Sequence, residues 1–404
     1  MLLEFQGSRG YSMNFAIVSL AAAAFAMITT EFNIIGLIPI IADELQVSVS
    51  HVGLLVTAFA FTVAITGPFL TLYFSRVERR ALFTNILVVS AVGNIVAAVA
   101  PNFEVLAIGR IISALALPVF WSMASSTAAQ IAGEKGAGRA ISIVFSGISV
   151  ASVVGVPLST MIAGTWDWRS AFYAAAALCL FMAVVLRLSF PRMPPDENAP
   201  ESSFLALLRQ PIFIAHLLLS LLVLTSLFTS YTYLADTLSR IAGLSDHWVG
   251  WALMGFGVVG IVGNSIAGRN LDSGPMKVSI VALLMAGVSM AISVPSLANS
   301  GFAILVFGLW GAAHAASFVA NHVRVMTAAP KGSEALAASL NVSVFNTGIG
   351  LGAFVGGRVI DVEGLGSIGP VSAVIATLAL ALGLAITYMR RRSSALKLQN
   401  HLID

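Results

Sequence analysis

Long apolar runs separated by short polar segments account for most of the chain. Twelve runs are at least about 17 residues long, and a bilayer-spanning helix needs about 20 mostly apolar residues. The runs cover residues 14–41, 51–74, 81–100, 103–127, 140–165, 170–189, 212–236, 248–267, 278–296, 301–322, 335–358 and 367–389. Apolar and polar positions do not alternate within them, which argues against a β-barrel. The pattern predicts an all-α integral membrane protein with 12 transmembrane helices.

The longest polar segment, residues 190–211, follows the sixth run and is rich in proline. This composition is typical of a linker. An offset of about 197 residues aligns the two sides of the linker, for example Gly53 with Gly250. The sequence therefore predicts two six-helix halves in parallel pseudo-repeat, at 14–189 and 212–389. Residues 1–13 precede the first half, and residues 390–404 form a tail.

Basic residues are concentrated in alternate connecting segments. If the amino terminus is cytoplasmic, seventeen of the 21 Lys and Arg residues fall on the cytoplasmic side, Arg324 after the tenth run among them. Only Arg169, Arg240 and Arg358 fall outside. Because positive charge favours the cytoplasmic side and the helix number is even, we expect both termini, and the segments 1–13 and 390–404, in the cytoplasm.

The composition excludes a soluble protein. Only 10% of the 404 residues are charged, 58% are hydrophobic and the mean hydropathy is +0.94, whereas about 25% of a soluble domain is charged. The net charge of +3 is spread between apolar runs, so no nucleic-acid partner is expected. The single cysteine, Cys179, excludes an intrachain disulfide. The first run is too long for a signal peptide and is interpreted as a retained helix.

Two ionisable residues lie well inside predicted helices. Glu31 is about 10 residues from the outer end of the first, and Arg110 about 7 residues from the outer start of the fourth, which places both roughly 10 to 15 Å deep. Charged groups at such depth are costly and commonly functional. One interpretation is a buried ion pair whose carboxylate takes up a proton during transport. The alternatives are a static pair between two helices, or a Glu31 that interacts only with the hydroxyls of Thr29 and Thr30.

Further polar and aromatic side chains within the runs are candidates for contacts with a solute. They are Asn33, Trp121, Phe228, Tyr231, His314, Asn341 and Asn346. Amides and an imidazole can hydrogen-bond a solute, and aromatic rings can stack on a ring-shaped one. The alternative is that the polar groups join neighbouring helices and the rings pack against lipid.

Small residues recur at every fourth position on the fifth and eleventh runs. They are Gly147, Ala151 and Gly155, and Gly348, Gly352 and Gly356. This spacing allows close helix approach. Its occurrence on corresponding helices suggests a moving interface between the halves, with ordinary tight packing as the alternative. Pro157 predicts a kink just after Gly155.

Several motifs resemble the major facilitator superfamily, and within it the drug and proton antiporter branch that includes bacterial sugar-efflux and purine-nucleoside-efflux transporters. The resemblance spans nearly the whole chain. It rests on Thr30-Glu31-Phe32, the loop Ser75-Arg76-Val77-Glu78-Arg79-Arg80, Arg110, Phe120-Trp121-Ser122, Gly155-Val156-Pro157-Leu158, and Trp168-Arg169 before Phe172.

The resemblance implies roles for particular residues. Glu31 and Arg110 correspond to the pair that related antiporters use for proton and substrate coupling. The residues implied in conformational gating are Arg76, Arg79, Arg80, Gly155, Pro157 and Asp272. The family loop usually reads Gly-x-x-x-Asp-Arg-x-Gly-Arg-Arg, and here Thr71, Ser75 and Glu78 replace its first glycine, aspartate and second glycine.

Together these features predict a proton-coupled exporter of small organic solutes such as sugars, nucleosides or drug-like compounds, working by alternating access in the bacterial inner membrane. No phosphate-binding loop is present, so we expect no cofactor, with the proton gradient as the energy source. The family's usual form is a monomer. An uncoupled facilitator or solute sensor is the alternative. No metal-binding or nucleophilic motif indicates an enzyme.

Overall fold

The computed structural model describes residues 2–133, 136–194, 207, 209–271, 274–330 and 333–401. These residues form twelve helical segments, with no strand among them. The first six are α1 (Leu2–Leu45), α2 (Val49–Phe74), α3 (Arg79–Ala98), α4 (Phe103–Ala132), α5 (Ala137–Val150, continued by Ala151–Gly155 and Val156–Thr165) and α6 (Trp168–Ser189). The others are α7 (Pro211–Tyr231, continued by Leu234–Asp236 and Thr237–Ile241), α8 (Asp246–Leu271), α9 (Pro275–Ala291, followed by Ser293–Ser296), α10 (Ser300–Ala328), α11 (Glu334–Glu363) and α12 (Leu365–Ser367 and Ile368–His401).

The helices coincide with the twelve apolar runs. Eleven of those described are long and apolar enough to cross a bilayer, and α9 is a shorter apolar helix of 17 residues. Regular helix ends at Ala291 because Pro295, four residues later, has no N–H to donate to the Ala291 carbonyl. The predicted 12-helix membrane fold is confirmed.

The starts of α4 and α10 show the predicted repeat in local structure. Asn102 accepts a hydrogen bond from the N–H of Val105 at 3.0 Å, and Asn299 accepts one from Phe302 at 3.0 Å. Both side chains therefore satisfy a backbone donor that the first helical turn leaves unpaired. Asn102 and Asn299 are 197 residues apart, the offset that aligns Gly53 with Gly250.

The chain divides into two compact units. The first comprises Met1–Pro200 and Thr232–Gly257, and the second comprises Glu201–Tyr231 and Val258–Asp404. The first unit has a continuous apolar core in which Phe83 meets Phe120 and Phe190 edge to face, with ring centres 5.8 and 5.7 Å apart. In the second, α7 packs against α11 and α12. The Ser226 and Ser230 hydroxyls donate to α12, at 2.8 Å to the Ser372 carbonyl and 3.3 Å to the Ile368 carbonyl.

The small residues on α5 and α11 lie against helices of their own unit. A Cβ at Gly147 would lie 2.9 Å from Ala24 in α1, and one at Gly155 would meet Thr29. On α11, a Cβ at Gly348 would lie 2.7 Å from the Leu224 Cβ in α7. These contacts correspond to the tight-packing interpretation of the small residues.

Helix α5 departs from α geometry where Pro157 predicts a kink. Residues Ala151–Gly155 form a π-helical turn, and Pro157 lies in the first turn of the segment that follows. A proline has no N–H and its ring crowds the preceding turn, so a local widening there is expected.

One basic residue is placed differently from the sequence-based expectation. Arg324 was expected in a cytoplasmic segment, but α10 continues to Ala328 and Arg324 is only 1% exposed. The apolar pattern of the sequence ends near His322. The helix continues past this point because the Arg324 side chain finds hydrogen-bond acceptors inside the second unit.

Gly263 offers a test of close packing between α8 and α10. A Cβ at Gly263 would lie 2.5 Å from the carbonyl carbon of Ala312, whereas one at Gly268 in the same helix would meet no atom within 4 Å. Overpacking costs about 1–3 kcal/mol. We expect Gly263→Ala to lower the unfolding temperature of the detergent-solubilised protein by several degrees and Gly268→Ala to leave it unchanged or slightly raised, measured by differential scanning fluorimetry. Equal temperatures for the two variants would contradict the close approach.

Candidate functional site

Arg110 of α4 is buried, at 1% exposure, and joins α4 to α1. Its Nη1 donates to the Thr30 carbonyl oxygen and, at 3.3 Å, to the Asn33 Oδ1, while its Nη2 donates to the Glu31 carbonyl oxygen at 2.6 Å. The guanidinium carbon also lies 4.4 Å from the ring centre of Phe59 in α2. Two of the arginine's three hydrogen bonds therefore go to the main chain of α1, and the third goes to an α1 side chain.

Glu31 lies beside this arginine but is not bonded to it. The residue is 7% exposed, and its carboxylate accepts no hydrogen bond from the described residues. Among the described residues, ion pairs involve Arg169, Arg240 and Arg358, and none joins Arg110 to the Glu31 carboxylate. The direct ion pair expected from the sequence is thus not formed, since the arginine is bonded to the backbone of the same residue.

A buried polar network extends from this site through α3 and α6. Asn94 of α3 donates to the Thr30 hydroxyl at 3.0 Å and to the Ser90 carbonyl at 2.9 Å. The Thr30 hydroxyl also lies 3.6 Å from the Sγ of Cys179 in α6. The Ser113 hydroxyl of α4 donates to the same Ser90 carbonyl at 3.3 Å. These contacts join the α1 segment that carries Glu31 to α3 and α6, and they join α3 to α4.

Several buried polar atoms around Glu31 have no hydrogen-bond partner among the described residues. They are the Thr29 Oγ1, the Asn33 Nδ2, the Asn94 Oδ1 and the Arg110 Nε. Buried polar atoms are rarely left unpaired in proteins, and exceptions often mark sites for water or a ligand. Asn33, a predicted solute contact, therefore has one atom bonded to Arg110 and one available.

The structure brings three predicted solute contacts together in the second unit. The His314 ring of α10 lies 4.5 Å from the ring of Tyr231 and 5.7 Å from that of Phe228, both in α7. Phe318 joins the group, at 5.4 Å from His314. Trp121 belongs instead to the first unit, where it lies 5.5 Å from Phe120.

Asn341 and Asn346 of α11 are both buried but differ in their bonding. Asn341 is fully buried, and neither its Oδ1 nor its Nδ2 has a hydrogen-bond partner among the described residues. Asn346 donates from Nδ2 to the Val342 carbonyl at 3.1 Å, within its own helix. Phe345, next to Asn346, lies 5.7 Å from Phe318 and connects α11 to the aromatic group. Asn341 is thus a stronger candidate than Asn346 for a side chain whose missing hydrogen-bond partners are supplied by a ligand.

The loop between α2 and α3 keeps its arginines but uses a different acid. Glu78 accepts hydrogen bonds from the N–H groups of Arg80, Ala81 and Met193, at 3.0, 2.9 and 3.1 Å. Partial burial alone would raise the pKa of Glu78, but these three backbone donors hold it below its usual value. Because the Arg79 N–H donates to the Met193 carbonyl at 3.1 Å, the chain after α6 is tied to this loop.

The other residues expected in gating have diverse environments. Arg79 is buried and donates to the Met123 Sδ at 2.7 Å, whereas Arg76 is exposed. Gly155 and Pro157 belong to the irregular part of α5. Asp272 lies outside the described residues.

Sequence reasoning missed a second buried arginine. Arg324 donates from Nη1 to the His216 carbonyl at 3.0 Å and from Nη2 to the Ser220 hydroxyl at 2.8 Å, both in α7. It also donates to the Asn321 Oδ1 at 2.6 Å. The spacing of Asn321 and Arg324, one helical turn apart, was the only signal in the sequence.

A third group of charges lies at the end of α1, within the first unit. Arg240 of α7 bonds to Asp43 at 2.6 Å and to Asp236 at 2.7 Å. The Asp43 and Arg240 side chains are 70% and 44% exposed. Exposed pairs of this kind contribute about 0–1 kcal/mol, so this contact can form and break readily.

Comparison with known proteins adds relatives of known class. The family model described as Major Facilitator Superfamily matches residues 20–353. The inner membrane transport protein YdhP of Escherichia coli (strain K12) is 33% identical over 376 residues, 92% of this chain and 95% of that protein. A probable sugar efflux transporter of Mannheimia succiniciproducens is 31% identical over 368 residues, 91% of this chain and 92% of that protein. The family and both relatives are transporters rather than enzymes.

Two solved structures show the same fold. A bacterial homolog of the human lysosomal transporter Spinster has a TM-score of 0.80 at 16% identity, over 93% of this chain and 97% of the other. The nucleoside transporter NupG has a TM-score of 0.74 at 16% identity, over 93% and 99%.

Cys179 is a reporter for the contact between Arg110 and α1. It is fully buried and touches Thr30, and it is the single cysteine of the chain. Lysine cannot reproduce the forked hydrogen bonds of arginine, and losing one bond to a charged group costs about 1.5–3 kcal/mol. We expect Arg110→Lys to increase the rate at which a maleimide labels Cys179 about ten-fold or more, since α1 separates more often from its neighbours. The exposed Arg139→Lys variant should label at the wild-type rate, and equally fast labelling of both variants would show that Arg110 does not hold α1.

Proposed function

Because the chain belongs to the major facilitator superfamily, we propose that this transporter is a proton-coupled exporter of small organic solutes such as sugars, nucleosides or drug-like compounds. It is a multi-pass membrane protein, and its relative YdhP is named as an inner membrane protein. We propose that both termini are cytoplasmic, that it works as a monomer, and that the proton gradient replaces any cofactor. Solute leaves the cell as protons enter, by alternating access.

The observation that carries the proposal is the free carboxylate of Glu31. Glu31 is a buried acid of α1, and the neighbouring guanidinium donates to main-chain carbonyls rather than to the carboxylate itself. Proton uptake there removes one negative charge and leaves the positive charge of Arg110 uncompensated. A single proton thus changes the net charge of a poorly hydrated site, which is a sufficient difference to bias two conformations.

The Asp43 contact with Arg240 supports a cycle in which one end of the protein opens and closes. The positive charge distribution of the sequence assigns this end to the outer side of the membrane. An exposed ion pair is weak enough to be broken in each cycle. We propose that it closes the outer end while solute binds from the cytoplasm.

The proposed solute class is supported by the group around His314. Three aromatic rings and an imidazole lie together, and Asn341 in the neighbouring helix has both amide atoms available. Rings stack on the apolar faces of sugars or on flat bases, and an amide can both donate to and accept from hydroxyl groups. One relative is named as a probable sugar efflux transporter. These groups favour an uncharged, ring-shaped, hydroxylated solute.

Replacement of Glu31 by glutamine tests proton coupling. One charge moving through 100 mV corresponds to about 2.3 kcal/mol, which sustains a solute concentration ratio of roughly 50-fold. In proteoliposomes with an imposed proton gradient, we expect wild-type protein to build such a ratio with a transported solute from a panel of sugars, nucleosides and cationic dyes. Glu31→Gln should equilibrate the same solute to a ratio near 1, without the pH change that accompanies wild-type transport.

Glu104→Gln is the matched control for this variant. Glu104 lies exposed in the first turn of α4, so its loss should leave the concentration ratio unchanged. Full accumulation by Glu31→Gln at equal protein levels would refute the proposal that Glu31 couples transport to protons. Wild-type flux with no concentration ratio and no proton movement would identify a facilitator.

Replacement of Asn341 by leucine separates a solute contact from a structural one. Leucine has nearly the same volume and removes two polar atoms that have no partner among the described residues, so stability should not fall. Loss of one hydrogen-bonding group to the solute costs about 1–3 kcal/mol. We expect Asn341→Leu to raise the KM for transport about ten-fold while the unfolding temperature stays at the wild-type value. A lower unfolding temperature with an unchanged KM would identify Asn341 as a link between helices. The control is the Asn270→Leu variant, which makes the same substitution on α8.

A further inference from the structure

A surface cavity of about 420 Å³ lies where the loop between α2 and α3 meets the end of α6. Three arginines line it, namely Arg80, Arg187 and Arg192, together with Glu78, Thr84 and Asn85. Its volume is within the range of about 300–1,000 Å³ that small-molecule sites occupy. All of these residues belong to the first unit.

The cavity carries excess positive charge. Among the described residues that line it, the one carboxylate is that of Glu78, which accepts hydrogen bonds from three backbone N–H groups. The Arg80 Nη1 lies 3.5 Å from the Arg187 carbonyl oxygen. In the part of the chain that the structure describes, ion pairs bind Arg169, Arg240 and Arg358 to acids, and none includes a cavity arginine. Three guanidinium groups around one cavity suit a phosphate, which can accept several of their hydrogen bonds at once.

The helices that support the cavity expose apolar side chains directly beside it. On α3, Val88 and Val92 lie one and two turns beyond Thr84, and are 39% and 47% exposed. On α6, Val184 and Leu188 lie next to Arg187 and are 55% and 78% exposed. Because α3 and α6 pack against each other, basic and apolar surfaces adjoin at one place. This arrangement matches an amphiphile with an anionic head and hydrocarbon chains, rather than a free anion in water.

We propose that the cavity binds the phosphate of an anionic phospholipid headgroup, with the acyl chains lying along the exposed faces of α3 and α6. The positive charge distribution of the sequence assigns this end of the helices to the cytoplasmic leaflet, where basic sites between helices commonly recognise anionic headgroups. The positive charges of Arg187 and Arg192 attract the phosphate. Arg80, at the start of α3, joins this site to the loop between α2 and α3, which contains Glu78. The site is independent of what the protein transports.

Lipid titration of the purified full-length protein, followed by native mass spectrometry, tests the proposal. We expect palmitoyl-oleoyl phosphatidylglycerol to bind more tightly than the phosphatidylcholine with the same chains. Each arginine near an anionic headgroup contributes about a five-fold change in affinity. The double variant Arg187→Gln/Arg192→Gln should therefore weaken phosphatidylglycerol binding roughly 25-fold, while Arg269→Gln, which removes an exposed arginine at the end of α8, should not. Equal unfolding temperatures confirm that the variants are folded.

Two further arms distinguish the sources of a bound anion. Soluble glycerophosphate should not displace phosphatidylglycerol at millimolar concentration, and displacement would show a site for a free phosphate instead of a lipid.

Asp196 and Glu197, which lie outside the described residues, follow Arg192 closely in the chain. If wild-type protein does not prefer phosphatidylglycerol but the Asp196→Asn/Glu197→Gln variant does, the acids of the chain itself occupy the cavity and the proposal is overturned. Equal binding of both lipids by every variant would also overturn it.

Discussion

A guanidinium group inside a membrane protein requires acceptors for its hydrogen bonds, and Arg110 finds two of its three acceptors on the main chain of α1. This constraint fixes the segment from Thr30 to Asn33 against α4. It also places Glu31 near a positive charge without bonding its carboxylate. The network through Asn94 and Cys179 extends the same contact to α3 and α6. The packing of α1 and the surroundings of Glu31 thus both depend on the Arg110 side chain. The free-energy cost of burying its charge is offset by hydrogen bonds to main-chain carbonyls rather than by an ion pair with an acid.

The second unit meets the same requirement at a different position. Arg324 of α10 binds the backbone and side chains of α7, much as Arg110 binds α1. The two arginines are not repeat equivalents, because an offset of 197 relates Arg110 to Phe307 and Arg324 to Thr127. The same offset relates Glu31 to Phe228. One copy of the repeat therefore holds an acid where the other holds an aromatic ring, and the two units differ in chemistry while they share a helical plan.

The sequence predicted the twelve helices, and it placed Glu31 and Arg110 inside two of them, where both are buried. Long apolar runs leave few alternatives in a bilayer, and a charge such as Glu31 is conspicuous within one. It could not predict that Arg110 bonds to carbonyl groups, because every residue offers a carbonyl and no pattern marks those that are used. Arg324 was missed for a related reason, since a charge near the end of an apolar run is normally a loop residue. The π-helical turn before Pro157 shows the same limit, because a proline signals a disturbance without specifying its geometry.

The acceptors that Arg110 uses on α1 include the carbonyl oxygens of Thr30 and Glu31, which persist whatever side chains stand at those positions. These two hydrogen bonds therefore do not depend on the chemistry of the side chain at residue 31. A lineage could replace the acid by a neutral residue and retain a folded membrane protein with the same helix contacts. Under the proposed role of Glu31, energy coupling and folding depend on different atoms of the same residue, so a single substitution can convert an active carrier into a passive one.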